Sequence, residues 1–226
     1  MAATDEEIWS KAEQYITDQL LGKDEVLDSV ISAGESAGMP PIQVSPTHGK
    51  LLMLLAQMNG AKRILEIGTL AGYSTIWLAR ALPADGRLVT LEFEPKHAAV
   101  ARDNIEKAGF ADRVEVREGS ALDTLPLLKA EGAGPFDFVF IDANKNGYAD
   151  YLGWALKLTR RGSVIIADNA VQEGRIADAA CDDTNVQGIR RFIEMLGAEP
   201  RVSATVLQCV GSKGYDGMAI GIVTSD

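Results

Sequence analysis

The sequence predicts an α/β fold: a mostly parallel sheet of seven strands, covered by helices on both faces and ended by an antiparallel hairpin. Three observations carry this expectation. From residue 63 onward, apolar β-rich runs alternate with stretches of helical periodicity, the pattern of a parallel sheet buried on both faces. The first run ends in a glycine-bearing loop that leads directly into an apolar helix. The last two runs are separated by a link too short for a crossover helix, so they pair antiparallel.

Before residue 63 the chain reads as helices near 5–21, 24–37 and 47–59, separated by the turn-rich GMPPIQVSP; this segment is expected to cap the sheet and line a ligand cleft. Strands are expected at RILEIG (63–68), RLVTLEF (87–93), VEVREG (114–119), FDFVFID (136–142) and SVIIADN (163–169). Helices near 73–82, 95–108, 121–130 and 147–159 form the right-handed crossovers between them. A helix near 185–196 precedes the hairpin strands SATVLQCV (203–210) and GMAIGIV (217–223), joined by GSKGYD. Residues 1–226 read as one domain, with 1–60 an N-terminal helical cap and 61–226 a cofactor-binding α/β core; no repeat or low-complexity linker interrupts it.

Composition excludes several classes. Hydrophobic residues make up 46% and charged residues 24%, ordinary globular values, and no apolar stretch approaches the roughly 20 residues of a membrane span. The polar, acidic start MAATDEEIWSKAEQ resembles neither a secretory signal nor a transit peptide, so a cytoplasmic location is expected. Lys and Arg number 22 against 32 Asp and Glu, and the net charge of −10 disfavours broad attraction to nucleic acid or anionic lipid. Cys181 and Cys209, far apart and without CxxC spacing, read as ordinary thiols.

The first strand runs into Glu66-Ile67-Gly68-Thr69-Leu70-Ala71-Gly72-Tyr73-Ser74. Glycines let the backbone turn sharply against a ligand, and the helix that follows offers unpaired amides to a carboxylate. Glu92 ends the next strand 20 residues after Gly72, where an acid accepts hydrogen bonds from ribose hydroxyls. A dinucleotide site usually carries GxGxxG to hold pyrophosphate; this loop does not, which favours the phosphate-free S-adenosylmethionine over a nicotinamide cofactor. Ser74 is placed to bind the methionine carboxylate, with helix capping as its alternative role. Phe93 is placed to pack on adenine or to be a core aromatic, and Gly119-Ser120-Ala121 lies where an adenine edge would be read, Ser120 being otherwise a plain helix cap.

Asp142 ends the fourth strand, and Asp168 and Asn169 end the fifth, so two carboxylates and an amide converge on the cleft of a doubly wound sheet. An all-oxygen set of this kind suits a hard cation such as Mg²⁺. The alternative is structural: helix capping, or pairing with Arg160, Arg161 or Arg175. Lys145, three residues beyond Asp142, reaches the same place; taken singly, a loop lysine is more often a solvated charge.

The strings ILEIGTLAGYSTIWLARALP, VTLEFEPKHAAVARDNIEKAGF, FDFVFIDANKNGYADYL and IIADNAVQEGRI together resemble the cation-dependent O-methyltransferases, catechol and caffeoyl-coenzyme A O-methyltransferases among them, from about residue 40 to the end. The resemblance implies a Rossmann-like class I methyltransferase fold with the last strand inserted antiparallel. It also implies that Asp142, Asp168 and Asn169 ligate Mg²⁺ (Mn²⁺ or Ca²⁺ as alternatives), that Lys145 is the catalytic base and that Glu92 is the ribose acid. By the same resemblance the backbone of Val44 holds the methionine part, and Glu66, Gly68, Thr69, Ser74 and Asp142 contact the cofactor. The chain departs from the family's IDADK string with IDANK; Asn144 is expected to face adenine and not the metal. Catechol methyltransferases carry a further acid for the second hydroxyl, for which Glu199 is a speculative candidate and a surface acid the blander reading. His48 is expected to begin a helix, with a catalytic role the lesser alternative.

The implied reaction is methyl transfer to one hydroxyl of a vicinal dihydroxy aromatic by a homodimer with a small phenolic partner. The alternatives are methylation of a tRNA hydroxyuridine and a non-catalytic cofactor-binding protein on the same fold. The segment AVQEGRIADAACDDTNVQGIRRF (170–192) and the N-terminal helices are expected to select the acceptor, the former as a lid with a helix behind it.

Overall fold

The computed structural model describes residues 3–225. Three helices come first: α1 (Asp5–Leu20), α2 (Glu25–Ser36) and α3 (Pro46–Asn59). Each begins where a side-chain oxygen meets an orphan amide. Thr4 and Glu7 form a capping box on α1, Asp24 caps α2 through the Leu27 amide, and Ser45 caps α3 ahead of Pro46. Gly60, in the left-handed region at φ 66°, ends α3.

The sheet then builds by crossovers: β1 (Arg63–Ile67), α4 (Tyr73–Ala81), β2 (Arg87–Glu92), α5 (Pro95–Lys107), β3 (Val114–Glu118), α6 (Ala121–Ala130), β4 (Phe136–Ile141), α7 (Tyr148–Leu158) and β5 (Thr159–Ala167). Helix α8 (Thr184–Ala198) leads to β6 (Val202–Gly211) and β7 (Gly214–Val223). The strand order is β3-β2-β1-β4-β5-β7-β6, with β7 antiparallel to both β5 and β6. This is the predicted seven-stranded sheet.

Alternation along the strands gives each face its own apolar layer. Leu65, Ile67, Val139 and Ile141 pack with α6, α7 and α8, whereas Ile64, Phe138 and Phe140 pack with α2, α3, α4 and α5. Fully burying side chains of this size contributes roughly 1.5–3 kcal/mol each. Both layers stop at the carboxyl ends of the strands, where the polar residues gather.

Two details differ from the sequence expectation. Strand β5 starts at Thr159, four residues early, because Thr159 pairs with Phe136 before a register shift that Gly162, at φ 91°, accommodates. The hairpin link is Ser212-Lys213 and not six residues: Tyr215 and Asp216 pair with Val210 and Cys209 as strand residues. No helix among the described residues is long and apolar enough to cross a membrane.

Helix α1 lies against α3 and β6 with one buried residue, the acid Glu13. Its carboxylate accepts hydrogen bonds from the Thr47 hydroxyl and from the Ser212 amide at 2.5 Å, so three distant segments meet on one charge. Burial alone would raise its pKa, but hydrogen bonds from Ser45, Thr47 and Ser212 outweigh it and hold the carboxyl at about 2. A folded pKa below the unfolded value stabilises fully above pH 4.5, and that stability is lost as pH falls toward 2. Glu13→Gln should therefore lower stability at pH 7, by on the order of 2 kcal/mol, and flatten the acid limb between pH 4.5 and 2. Parallel melts at pH 7 and pH 3 check this; equal losses at both pH values would refute it.

Candidate active site

The strand order reverses between β1 and β4, and the loops leaving their carboxyl ends border a cavity of about 1030 Å³. The sheet ladder continues into those loops. Gly68 N–H donates to Leu91 C=O, Asp142 N–H to Ile67 C=O, Gly119 N–H to Glu92 C=O and Asp168 N–H to Ile141 C=O, all at 2.8–3.0 Å. Gly68, at φ 101°, crosses so near the fourth strand that a Cβ there would sit 1.9 Å from the Asp142 carbonyl oxygen.

One half of the cavity is lined by Val44, Gly68, Thr69, Ser74, Glu92, Phe93, Gly119, Ser120 and Ala121. Glu92 Oε2 accepts from the amides of Thr69 (3.1 Å) and Leu70 (2.8 Å), and Oε1 from the Glu94 amide (3.0 Å), which fixes the acid at the cavity wall. Phe93 is 73% exposed, so it is not a core aromatic. Ser120 stands at the cap position of α6 but makes no side-chain capping bond, and the cap of α4 is Gly72, not Ser74.

Glu66 lies behind this wall and does not line it. Strand alternation turns its side chain with Ile64 toward α4, where it is wholly buried and accepts from Ser74, Thr75 and Thr90 hydroxyls at 2.5–2.7 Å. Burial outweighs those three bonds and pushes its carboxyl up to about 7. Its link to the cavity is through Ser74, so the expectation of a cofactor contact becomes one of orienting the residue that faces it.

The other half gathers Asp142, Asn144, Lys145, Asp168 and Asn169, with His48, Cys209 and Asp216 across from them. Lys145 Nζ donates to Asp142 Oδ1 at 2.8 Å and to the Tyr148 hydroxyl at 2.8 Å. Asp168 is buried; burial first and the neighbouring Asp142 charge second push its carboxyl upward, against an amide bond from Asn169 and the Lys145 charge. The structural alternative loses two of its partners, since Arg160 pairs with Asp137 and Arg175 with Asp183. Among the described residues no three His, Cys, Asp or Glu side chains cluster as a metal site. The set here is two carboxylates and an amide, one carboxylate buried and short of positive charge, and that donor chemistry fits a hard divalent cation.

Other expectations resolve plainly. Asn144, expected to face adenine, accepts from the Tyr151 hydroxyl and lines the cavity next to Lys145. Glu199 forms a surface pair with Arg201 and does not reach the cavity, so it is not the second acid. His48 sits in the first turn of α3, on the cavity, with burial lowering its pKa. Both cysteines are free, and Cys209 lines the cavity.

The profile of the O-methyltransferase family matches residues 18–220. The chain belongs to that family. It is 54% identical to a catechol O-methyltransferase of Niastella koreensis over 96% of this chain and 98% of that one. It is 50% identical to a catechol O-methyltransferase of Mycobacterium tuberculosis over 92% and 93%. An O-methyltransferase from Bacillus cereus, solved in complex with SAH, superposes with a TM-score of 0.96 at 56% identity, covering 97% of this chain and all of that one. The chain is thus an S-adenosylmethionine-dependent O-methyltransferase of class I fold.

Three residues of this methyltransferase lie outside the sequence expectation: Glu13 and Asp216 line the cavity, and Tyr148 bonds Lys145 from behind it. Tyr148 had a signal: its spacing of three from Lys145 brings it one helical turn away. Its ring is wholly buried, edge-on to Phe192 at 5.6 Å, and its hydroxyl lies 3.1 Å from the Asp168 carbonyl. Burial pushes the phenol far up, so it stays protonated, donates to that carbonyl and accepts from Lys145. Tyr148→Phe removes one of two acceptors that orient Lys145 and should lower kcat about tenfold, equivalent to about 1.4 kcal/mol. SAH affinity, read by calorimetry, should not move; a joint loss of both would instead mean a packing defect.

Proposed function

We propose that this methyltransferase moves the methyl of S-adenosylmethionine to one hydroxyl of a vicinal dihydroxy aromatic small molecule, using a divalent cation. The observation that carries the reading is the pairing, in one cavity, of the Glu92 wall with the Asp142, Lys145, Asp168 and Asn169 cluster. The names of the Niastella and Mycobacterium relatives support the acceptor class.

Glu92 would bind the ribose hydroxyls, with Phe93 against adenine, Gly119, Ser120 and Ala121 along its edge, and Val44, Gly68, Thr69 and Ser74 around the methionine portion. Asp142, Asp168 and Asn169 would hold the cation, Mg²⁺ in the first instance. When bound, the cation would lower the pKa of an acceptor hydroxyl and fix its orientation. Lys145, hydrogen-bonded to Asp142 and Tyr148, would take the hydroxyl proton as general base. The oxygen then attacks the sulfonium methyl carbon in line: the O–C bond forms, the C–S bond breaks, and a methyl ether and S-adenosylhomocysteine leave. Alignment of the two reactants inside a cavity screened from water supplies much of the acceleration.

A tRNA acceptor is disfavoured by the net charge of −10. The proposal includes a homodimer; exposed Ile8, Tyr15, Ile16 and Leu20 on α1, beside exposed Leu207 and Val210 on β6, offer an apolar surface for it.

Lys145→Ala should lower kcat by about 10²–10⁴-fold while SAH affinity stays near that of the parent. Chelation should abolish turnover of a catechol, and added Mg²⁺ should restore it. Full activity in the Lys145 variant would remove the assigned base, and chelator-resistant turnover the cation. Methylation of tRNA but not of any catechol or caffeoyl ester would overturn the acceptor class.

A further inference from the structure

The loop after β5 is strained where it carries function. Asn169, Gln172 and Glu173 all adopt left-handed backbone, at φ 54°, 53° and 57°, followed by Gly174 at 84°. Side chains disfavour that region because Cβ crowds the neighbouring carbonyl, so such a run persists only when something outside it holds it. The holding group comes from β7. Asp216 Oδ1 accepts three amides, those of Val171, Gln172 and Gly217, each at 2.9 Å. Two further bonds tighten the same clasp: Ala170 N–H donates to the Gly217 carbonyl at 2.8 Å, and Gln172 Nε2 to the Asn169 carbonyl at 2.9 Å. The strand fits this closely only because residue 217 is glycine; a Cβ there would stand 2.5 Å from both Val171 Cγ2 and the Leu207 carbonyl.

We propose that Asp216 is a positioning residue: its Oδ1 clamps the left-handed loop 169–174 and so fixes the Asn169 side chain at the cavity beside Asp168. This rests on the reading of Asn169 as a cation ligand. The clamp needs an acceptor oxygen at Oδ1 and not a negative charge, which separates it from a role in binding the acceptor or repelling anions.

Mn²⁺ binding to the SAH-saturated protein, followed by electron paramagnetic resonance, and hydrogen exchange of the loop amides test it in the parent, Asp216→Ala and Asp216→Asn. Asp216→Ala should weaken Mn²⁺ binding about tenfold or more and speed exchange at Val171 and Gln172, with SAH affinity unchanged. Asp216→Asn, which keeps the oxygen, should bind Mn²⁺ within about threefold of the parent. Adding Glu173→Gly to the alanine variant removes one strained position and should recover part of the loss. Parent-like Mn²⁺ binding in Asp216→Ala, or loss in Asp216→Asn as large as in the alanine variant, overturns the proposal. Should Asp216→Ala not fold, Asp216→Leu, near in size but without an acceptor oxygen, takes its place under the same two criteria. A parent protein that binds no Mn²⁺ removes the cation reading itself, a distinct result because it precedes any substitution.

Discussion

The site depends on how closely two strand ends pass each other. Gly68 leaves β1 with its Cα against the Asp142 carbonyl, in a space that no side chain can share. The loop that borders the cofactor half and the residue that opens the catalytic half are therefore one packed unit. Ladder bonds extend that unit sideways, through Leu91 to Glu92 and Gly119 and through Ile141 to Asp168. The ends of five strands, β1 to β5, thus share a floor whose geometry is set by backbone, which is stiffer than any side-chain contact. Orientation of two reactants to within fractions of an ångström needs that stiffness.

On this floor the protein handles buried carboxylates in different ways. Glu13 receives enough donors to overcome its burial, and its carboxyl falls to about 2. Glu66 receives three hydroxyls, but complete burial wins and lifts its carboxyl to about 7. Glu92 is held by three backbone amides. Asp168 differs from these: it has one amide, another acid beside it, and Lys145 turned to Asp142. Glu13 and Glu92 serve as structural anchors whose charge is met within the chain. Asp168 has fewer donors for its burial than these two, and the proposed cation rests on that shortfall.

The fold was almost wholly legible because parallel strands buried on both faces leave continuous apolar runs, and loops at their ends carry their own punctuation. All seven strands and eight helices fall within a few residues of where periodicity sets them. Most residues proposed for the cofactor were legible for the same reason, since Gly68, Thr69, Glu92, Phe93 and Gly119 end or directly follow a strand. What stayed hidden depended on register or on tertiary approach. Placing Asp216 required knowing that the hairpin turn is two residues long, because pairing with Cys209 turns it from a loop residue into a strand residue on the cavity. Glu66 was expected at the cofactor only through the family resemblance; strand alternation buries its side chain behind the wall. Glu13 gave no signal at all, for its partner Ser212 is 199 positions away.

That distance also explains how the molecule divides its labour. The cofactor wall comes largely from a continuous stretch, Gly68 to Ala121, and the catalytic cluster from Asp142 to Asn169. The remaining wall is assembled from the two ends of the chain: Glu13, Pro41, Ile42 and His48 from one, Cys209, Val210, Lys213 and Tyr215 from the other. Glu13 ties those ends together by bonding both the start of α3 and the hairpin turn. This part of the cavity wall is thereby built from segments that share no backbone ladder with the loops after β1, β2 and β3. Substitutions at the ends can reshape it while leaving the Gly68–Asp142 contact untouched, which is how one transfer chemistry can be kept while the accepted molecule changes.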